Sequence, residues 1–228
     1  MQVEIWSDIA CPWCYVGKRR FEAALEGFEH SDEVEVTWRS FELDPAAPRE
    51  RPVDAATHLA EKYGTTREHA LEMHRSMTEA AAGDGLDFRF DIARGGNTFD
   101  AHRLLHLAAV HGMQDAMKER LMRAYLTEGQ AIGDPEVLER LAVEAGLPEA
   151  EVRETLTTER FAEEVRDDER TAGALGIHAV PFFVVDRRVG ASGAHPPEAL
   201  RGLLERGWSE RSPLAVVAEG EACGPDGC

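Results

Sequence analysis

The chain has 228 residues, 43% of them hydrophobic, and a formal net charge of −18 at pH 7, so it holds enough apolar material for a sizeable core in one domain or in a domain with a large insertion. That charge excludes phosphate binding through clustered Lys and Arg, and with it a nucleic-acid partner. No apolar run approaches the ~20 residues of a membrane span, and the Met1-Gln2-Val3-Glu4 start lacks the positive region and apolar stretch of a targeting signal, so no membrane association is expected and the expected compartment is the cytoplasm.

The first predicted element is a short strand around Val3 and Ile5, followed by a polar turn through Ser7 and Asp8. Cys11-Pro12-Trp13-Cys14 then opens a helix. A C-x-x-C between a strand and a helix is the mark of a redox pair, because thiols at this spacing share the first helical turn and can close a disulfide. Cys11 falls at the positive end of the helix, where unpaired N–H groups and the macrodipole favour negative charge, and is the expected attacking thiol. Pro12 suits the first helical position, and Cys14, one turn further in, is the expected resolving thiol. Two other readings of the residues stay open here: a pair of buried small hydrophobes, and half of a zinc site completed by Cys223 and Cys228.

Tyr15 to Phe28 reads as an amphipathic helix, with Val16, Phe21, Leu25 and Phe28 on the apolar side and Lys18, Arg19, Arg20, Glu22 and Glu26 largely on the other. Val34 to Phe41 alternates as a second strand, which completes a βαβ unit with two parallel strands. From about Val53 the chain becomes helical. Segments are predicted at Val53–Tyr63, Thr66–Ala82, Thr98–Val110, Met113–Glu128, Pro135–Ala145 and Pro148–Leu156, with a longer one from about Thr158 to Leu175, punctuated by caps at Thr65 or Thr66, Asn97 or Thr98, and Asp134. Leu86 to Phe90 reads as a short exposed linker. Strands return at Pro181–Val185 and Val189–Ser192 around a tight turn at Asp186-Arg187-Arg188, and a helix follows from Pro197 to Arg206. Trp208 to Cys228 reads as a tail, with Leu214–Ala218 as a short packed segment.

This order resembles an α/β thioredoxin fold with a large all-helical insertion after the second strand, the arrangement of the DsbA family, and in particular its FrnE-type, cytoplasmic members. The resemblance spans nearly the whole chain. It is carried by Cys11-Pro12-Trp13-Cys14, Asn97-Thr98-Phe99-Asp100-Ala101-His102-Arg103-Leu104, Val180-Pro181-Phe182-Phe183 and Ser192-Gly193-Ala194-His195-Pro196-Pro197. It implies a thioredoxin-like N-terminal half over 1–50, the insertion over 51–157, a thioredoxin-like C-terminal half over 158–207 and a tail over 208–228. It further implies that Val180-Pro181 is the cis-proline loop lying against the cysteines, with the Val180 backbone pairing to an extended substrate segment.

The expected activity is therefore thiol–disulfide exchange with protein or small-molecule thiols and disulfides, glutathione among them, through Cys11 and Cys14. Cys223-Gly224-Pro225-Asp226-Gly227-Cys228 closes over four turn-forming residues and is the candidate second redox pair. His178 and His195, flanking the proline loop, are candidates to tune Cys11, and Asp8 is a candidate proton relay for Cys14. His102 and His106 lie one helical turn apart, but H-R-L-L-H lacks the internal Glu of a metalloprotease helix, so they read as packing residues and no metal is assigned. Arg94-Gly95-Gly96-Asn97 is too weak a glycine signal for a nucleotide site, and no cofactor is implied. Two rival functions remain. The same fold serves glutathione transferases of the kappa type and 2-hydroxychromene-2-carboxylate isomerases, whose pattern places a serine where Cys11 stands, and a zinc-binding or client-holding protein is the non-enzymatic alternative.

Overall fold

A computed structural model describes residues 1–211. The tail pair Cys223 and Cys228 and the segment Leu214–Ala218 lie outside the described residues.

Strand β1 (Gln2–Ser7) sits inside a four-stranded sheet of order β2-β1-β3-β4, with β2 at Glu35–Ser40, β3 at Phe182–Val185 and β4 at Val189–Ser192. β1 pairs with β2 in parallel, Ile5 opposite Trp38, and with β3 antiparallel, Ile5 opposite Phe183. Residues on both faces of β1 are covered, and Val3, Ile5 and Trp6 are fully buried, as expected of a strand with helices on either side. One face packs against helix α1 (Pro12–Glu26) and helix α9 (Pro197–Ser209), in a cluster that includes Val3, Ile5, Phe21, Phe28, Trp38, Phe183 and Leu204. The hairpin between β3 and β4 turns through Asp186 and Arg187, both at positive φ.

The helical segment comprises α2 (Ala55–Tyr63), α3 (Arg67–Gly83), α4 (Phe99–Val110), α5 (Gln114–Leu126), α6 (Pro135–Glu144) and α7 (Glu149–Thr157), followed by α8 (Ala162–Ala174). Asp54, Thr66 and Asp134 cap α2, α3 and α6 with side-chain oxygens that accept backbone N–H groups, each of which satisfies an otherwise orphaned donor. A separate apolar cluster of Leu104, Leu107, Met117, Leu121, Ile132, Leu138 and Leu141 forms around α4 to α6. Ile9, from the turn after β1, belongs to it, so the sheet and the helices are joined directly beneath the cysteines. No helix among the described residues is long and apolar enough to cross a membrane.

Four expectations are corrected. Leu86 to Phe90 is no exposed linker: Leu86 and Phe88 are buried against Cys11, Cys14, Met77 and Met122. The helix expected from Thr158 begins only at Ala162, because Phe161 adopts the left-handed conformation at its N-cap (φ 64°). Trp208 belongs to α9 rather than to a tail and stacks on His30 at 4.0 Å. Lys18, assigned to the polar side of α1, is buried, and its ammonium is met by Glu22 and by Asp115 and Glu119 of α5. Burial would push it down, but those carboxylates hold Lys18 above its usual range.

Candidate active site

The chain leaves β1 at Ser7, turns over Asp8, Ile9 and Ala10, and enters α1 with Cys11 as N-cap residue and Pro12 in the first turn. Cys11 is extended (φ −91°, ψ 112°); its N–H donates to the Asp8 carbonyl at 3.3 Å and its own carbonyl accepts from Cys14 N–H at 3.1 Å. Both cysteines are free thiols. Cys11 is 6% exposed and Cys14 is fully buried, while Trp13 between them is 45% exposed. One thiol is therefore placed at the rim and the other behind it.

The Val180–Pro181 peptide is cis, and the Val180 carbonyl lies 3.8 Å from Cys11 Sγ, which donates to it. The proline can lie this close to α1 because residue 17 is glycine: a Cβ there would meet Pro181 Cγ at 2.8 Å. The loop after β4 is fastened by Arg20, whose Nη1 donates to the Ala194 carbonyl at 2.8 Å while its Nε donates to both Asp84 oxygens at 3.1 and 3.0 Å. One guanidinium thus ties α1, the end of α3 and the loop beside the proline together. Around the thiols stand Tyr15 and Val16 of α1, Met77 and Ala81 of α3, Leu86 and Phe88, and Met122 and Leu126 of α5.

Near Cys14 lie buried polar groups. Asp8 is 1% exposed and accepts from Leu43 N–H at 2.8 Å and Ala10 N–H at 3.3 Å. Nε2 of the fully buried His102 lies 3.4 Å from Asp8 Oδ1, close enough for attraction but without hydrogen-bond alignment, and both its ring nitrogens lack partners among the described residues. Burial pushes Asp8 up, but His102 and the two backbone donors outweigh it and hold the carboxyl below its usual range. His102 is itself held down by burial, against the pull of Asp8. Lys118 of α5 is fully buried, donates to the Ser7 carbonyl at 3.4 Å and lies 5.6 Å from the centre of the Trp38 ring. Burial lowers it to about 8, against the opposing effect of Cys14, Asp8 and Cys11. Cys14 moves the other way: burial and the neighbouring Cys11 push it well up, opposed by Lys118 and by a backbone hydrogen bond from Asp8. Behind Asp8, burial raises Glu42 to about 7 despite its pair with Arg166 at 2.5 Å.

The structure thus gathers Cys11, Pro12, Trp13, Cys14, Val180, Pro181 and Asp8. His178 and His195, the candidates to tune Cys11, are both exposed; the groups that act on Cys14 are Cys11, Lys118 and Asp8. Sequence reasoning missed Lys118 and Glu42 and took His102 for packing. The available signal for Lys118 was scarcity, because only Lys18, Lys62 and Lys118 are lysines in a chain whose other cations are arginines.

The chain is similar to known proteins in sequence and fold. The family model of the DSBA-like thioredoxin domain matches residues 2–205. A probable DsbA oxidoreductase from Streptomyces coelicolor superposes with a TM-score of 0.93 at 48% identity, over 100% of this chain and 98% of its own. The cytosolic disulfide reductase DsbM from Pseudomonas aeruginosa shares the fold at a TM-score of 0.65 and 21% identity, over 92% of this chain and 99% of its own. Protein YwbO of Bacillus subtilis (strain 168), itself uncharacterized, is 29% identical over 197 residues, 85% of this chain and 92% of its own length. A C-x-x-C at a helix start, a proline loop against it and a family match over almost the whole chain converge: the protein belongs to the DSBA-like thioredoxin domain family.

Proposed function

We propose that the protein exchanges disulfides with protein or small thiol substrates through Cys11 and Cys14. The observation that carries this reading is the arrangement of the pair, with Cys11 at the helix start against the Val180 carbonyl and Cys14 shielded behind it. In the reducing direction Cys11 attacks a client disulfide, one client sulfur leaves as a thiolate, and the other stays joined to Cys11. Cys14 then attacks Cys11, closing the Cys11–Cys14 bond and releasing the second client thiol. In the oxidising direction a client thiolate attacks Cys11 of the closed pair, and the same steps run backwards. An extended client segment would lie along Val180, with the exposed Trp13 ring beside it.

The tail pair Cys223 and Cys228 is proposed to pass electrons to or from this centre. The chain from Arg211 to Cys223 spans at most about 40 Å, more than the length of α1, about 22 Å, and this reach is what the relay requires.

Insulin-disulfide reduction and dithiol oxidation by wild type, Cys11→Ser, Cys14→Ser and a chain ending before Cys223 test the proposal. Cys11→Ser should lose turnover by ~10³-fold or more, as removal of an attacking nucleophile does, and Cys14→Ser should accumulate a mixed disulfide at Cys11. Loss of turnover on truncation supports the relay; unchanged turnover removes it. A relative, DsbM, was solved with GSH, which makes glutathione the first small thiol to test. Glutathione-dependent isomerase activity without any dithiol turnover would replace this reading.

A further inference from the structure

The helical segment contributes more than a surface to the thiols. Lys118 comes from α5, far in sequence from the C-x-x-C, yet it is fully buried at the end of β1, with one hydrogen bond among the described residues, to Ser7 O at 3.4 Å, for its three donors. A lysine serving as a structural tie is normally saturated or reaches water; the neighbouring Lys18 shows the difference, with three carboxylates on its ammonium. Lys118 donates to the Ser7 carbonyl at the end of β1 and lies 5.6 Å from the Trp38 ring of β2, and the charges that act on it are those of Cys14, Asp8, Cys11 and Lys18, while it acts in turn on His102 of α4.

Resting on the exchange chemistry proposed above, we infer that Lys118 takes up the proton that Cys14 must lose to resolve the mixed disulfide, and then stands as the ammonium countercharge of the reacting sulfur. The fully buried Cys14 needs a base inside the protein. Asp8 is held ionised below the usual carboxylate range and so is a poor acceptor, and burial holds His102 below its usual range, against taking up a proton. Lys118, brought to about 8 by burial, has an amine form within reach near neutrality, which is the match a general base requires. In the step, the Cys14 S–H bond breaks and its proton goes to Nζ, directly or across one water. The sulfur pair left on Cys14 attacks Cys11 Sγ, the Cys11–client S–S bond breaks, and the client leaves as a thiolate with that electron pair. Lys118 returns the proton to solvent before the next turn.

The test loads Cys11 with thionitrobenzoate from 5,5′-dithiobis(2-nitrobenzoate) and follows the second release of coloured thiolate, which reports Cys14 attack alone. In wild type its rate should rise with pH and level off above about 8. Lys118→Met should slow it by ~10²-fold at pH 7, as loss of a general base does, and abolish that inflection. Lys118→Arg, a cation that cannot accept a proton, should not restore it. A Lys118→Met profile like wild type, or full rescue by arginine, overturns the proposal. If Cys11 never takes up thionitrobenzoate, the exchange reading has failed instead. An independent check needs no variant: with 13C-labelled lysine, one of only three lysines should titrate near 8 in the dithiol protein, and three signals that all titrate above about 10 overturn it.

Discussion

Two buried polar clusters flank β1, and they are built on opposite terms. On one side Glu4 accepts from Arg39 at 2.9 and 2.7 Å and from Arg187 at 2.8 and 3.0 Å, while Asp168 accepts from Arg39 at 3.1 Å and from the Ser40 N–H at 2.9 Å. Every carboxylate oxygen there is used, and the Arg187 and Arg39 guanidiniums hold Glu4 below its usual range despite burial. In the other cluster, around the turn that follows the strand, Lys118 has one long bond among the described residues, Glu42 Oε1 has no partner there, and neither has His102. Saturated buried charges hold elements together; unsaturated ones cost stability and keep the capacity to change protonation. The difference in saturation therefore separates a structural cluster from a chemical one, although both are buried.

Substitutions should then change stability with opposite signs in the two places, as read by urea unfolding at controlled pH. The largest change is expected from Lys118→Met, a gain of about 3 kcal/mol at pH 7. The folded-state value of Lys118 is about 8, below its ordinary 10.5. Between those values the unfolded chain binds more protons, so wild-type stability rises with pH there, and below 8 the full penalty is present. The advantage of the variant should accordingly shrink above pH 8 and vanish near 10.5. Arg39→Met should do the reverse, with a loss of about 2 kcal/mol, because it strips hydrogen bonds from Glu4 and Asp168 and leaves buried charge behind.

The smallest effect is expected from Glu42→Gln, a gain of about 1–2 kcal/mol above pH 7, less than the whole shift because the variant gives up its charged bond to Arg166. Burial raises Glu42 from 4.5 to about 7. The folded state therefore holds the extra proton between those values, stability falls as pH rises through them, and the gain should disappear below about pH 4.5. Losses in both clusters would break the distinction; a gain at Lys118 larger than that at Glu42 would sharpen it by ranking the two buried groups.

Much of the fold was legible because its signals are local. The alternation of β1 and β2, the caps at Thr66 and Asp134 and the cysteine pair beside Pro12 each act within a few residues of themselves. Leu86 and Phe88 were misread because a short run with polar neighbours carries no period; only α3, α5 and the thiols packed around them make them core. Lys18 failed similarly. It has charged sequence neighbours on α1, but its face is set by Asp115 and Glu119 on α5, and a sequence shows helical angles without showing what stands opposite.

The sequence by itself determined the C-x-x-C at a helix start and the order of strands around a helical segment, since each follows from short-range stereochemistry or hydrophobic period, while the proline loop followed from a resemblance. Only the tertiary structure decided what surrounds Cys14. Asp8, His102 and Lys118 come from β1's end, α4 and α5, and the low-dielectric space they share exists only once those elements close on one another. Protonation is set by burial and by charge across that space, and neither is a property of any one stretch of chain.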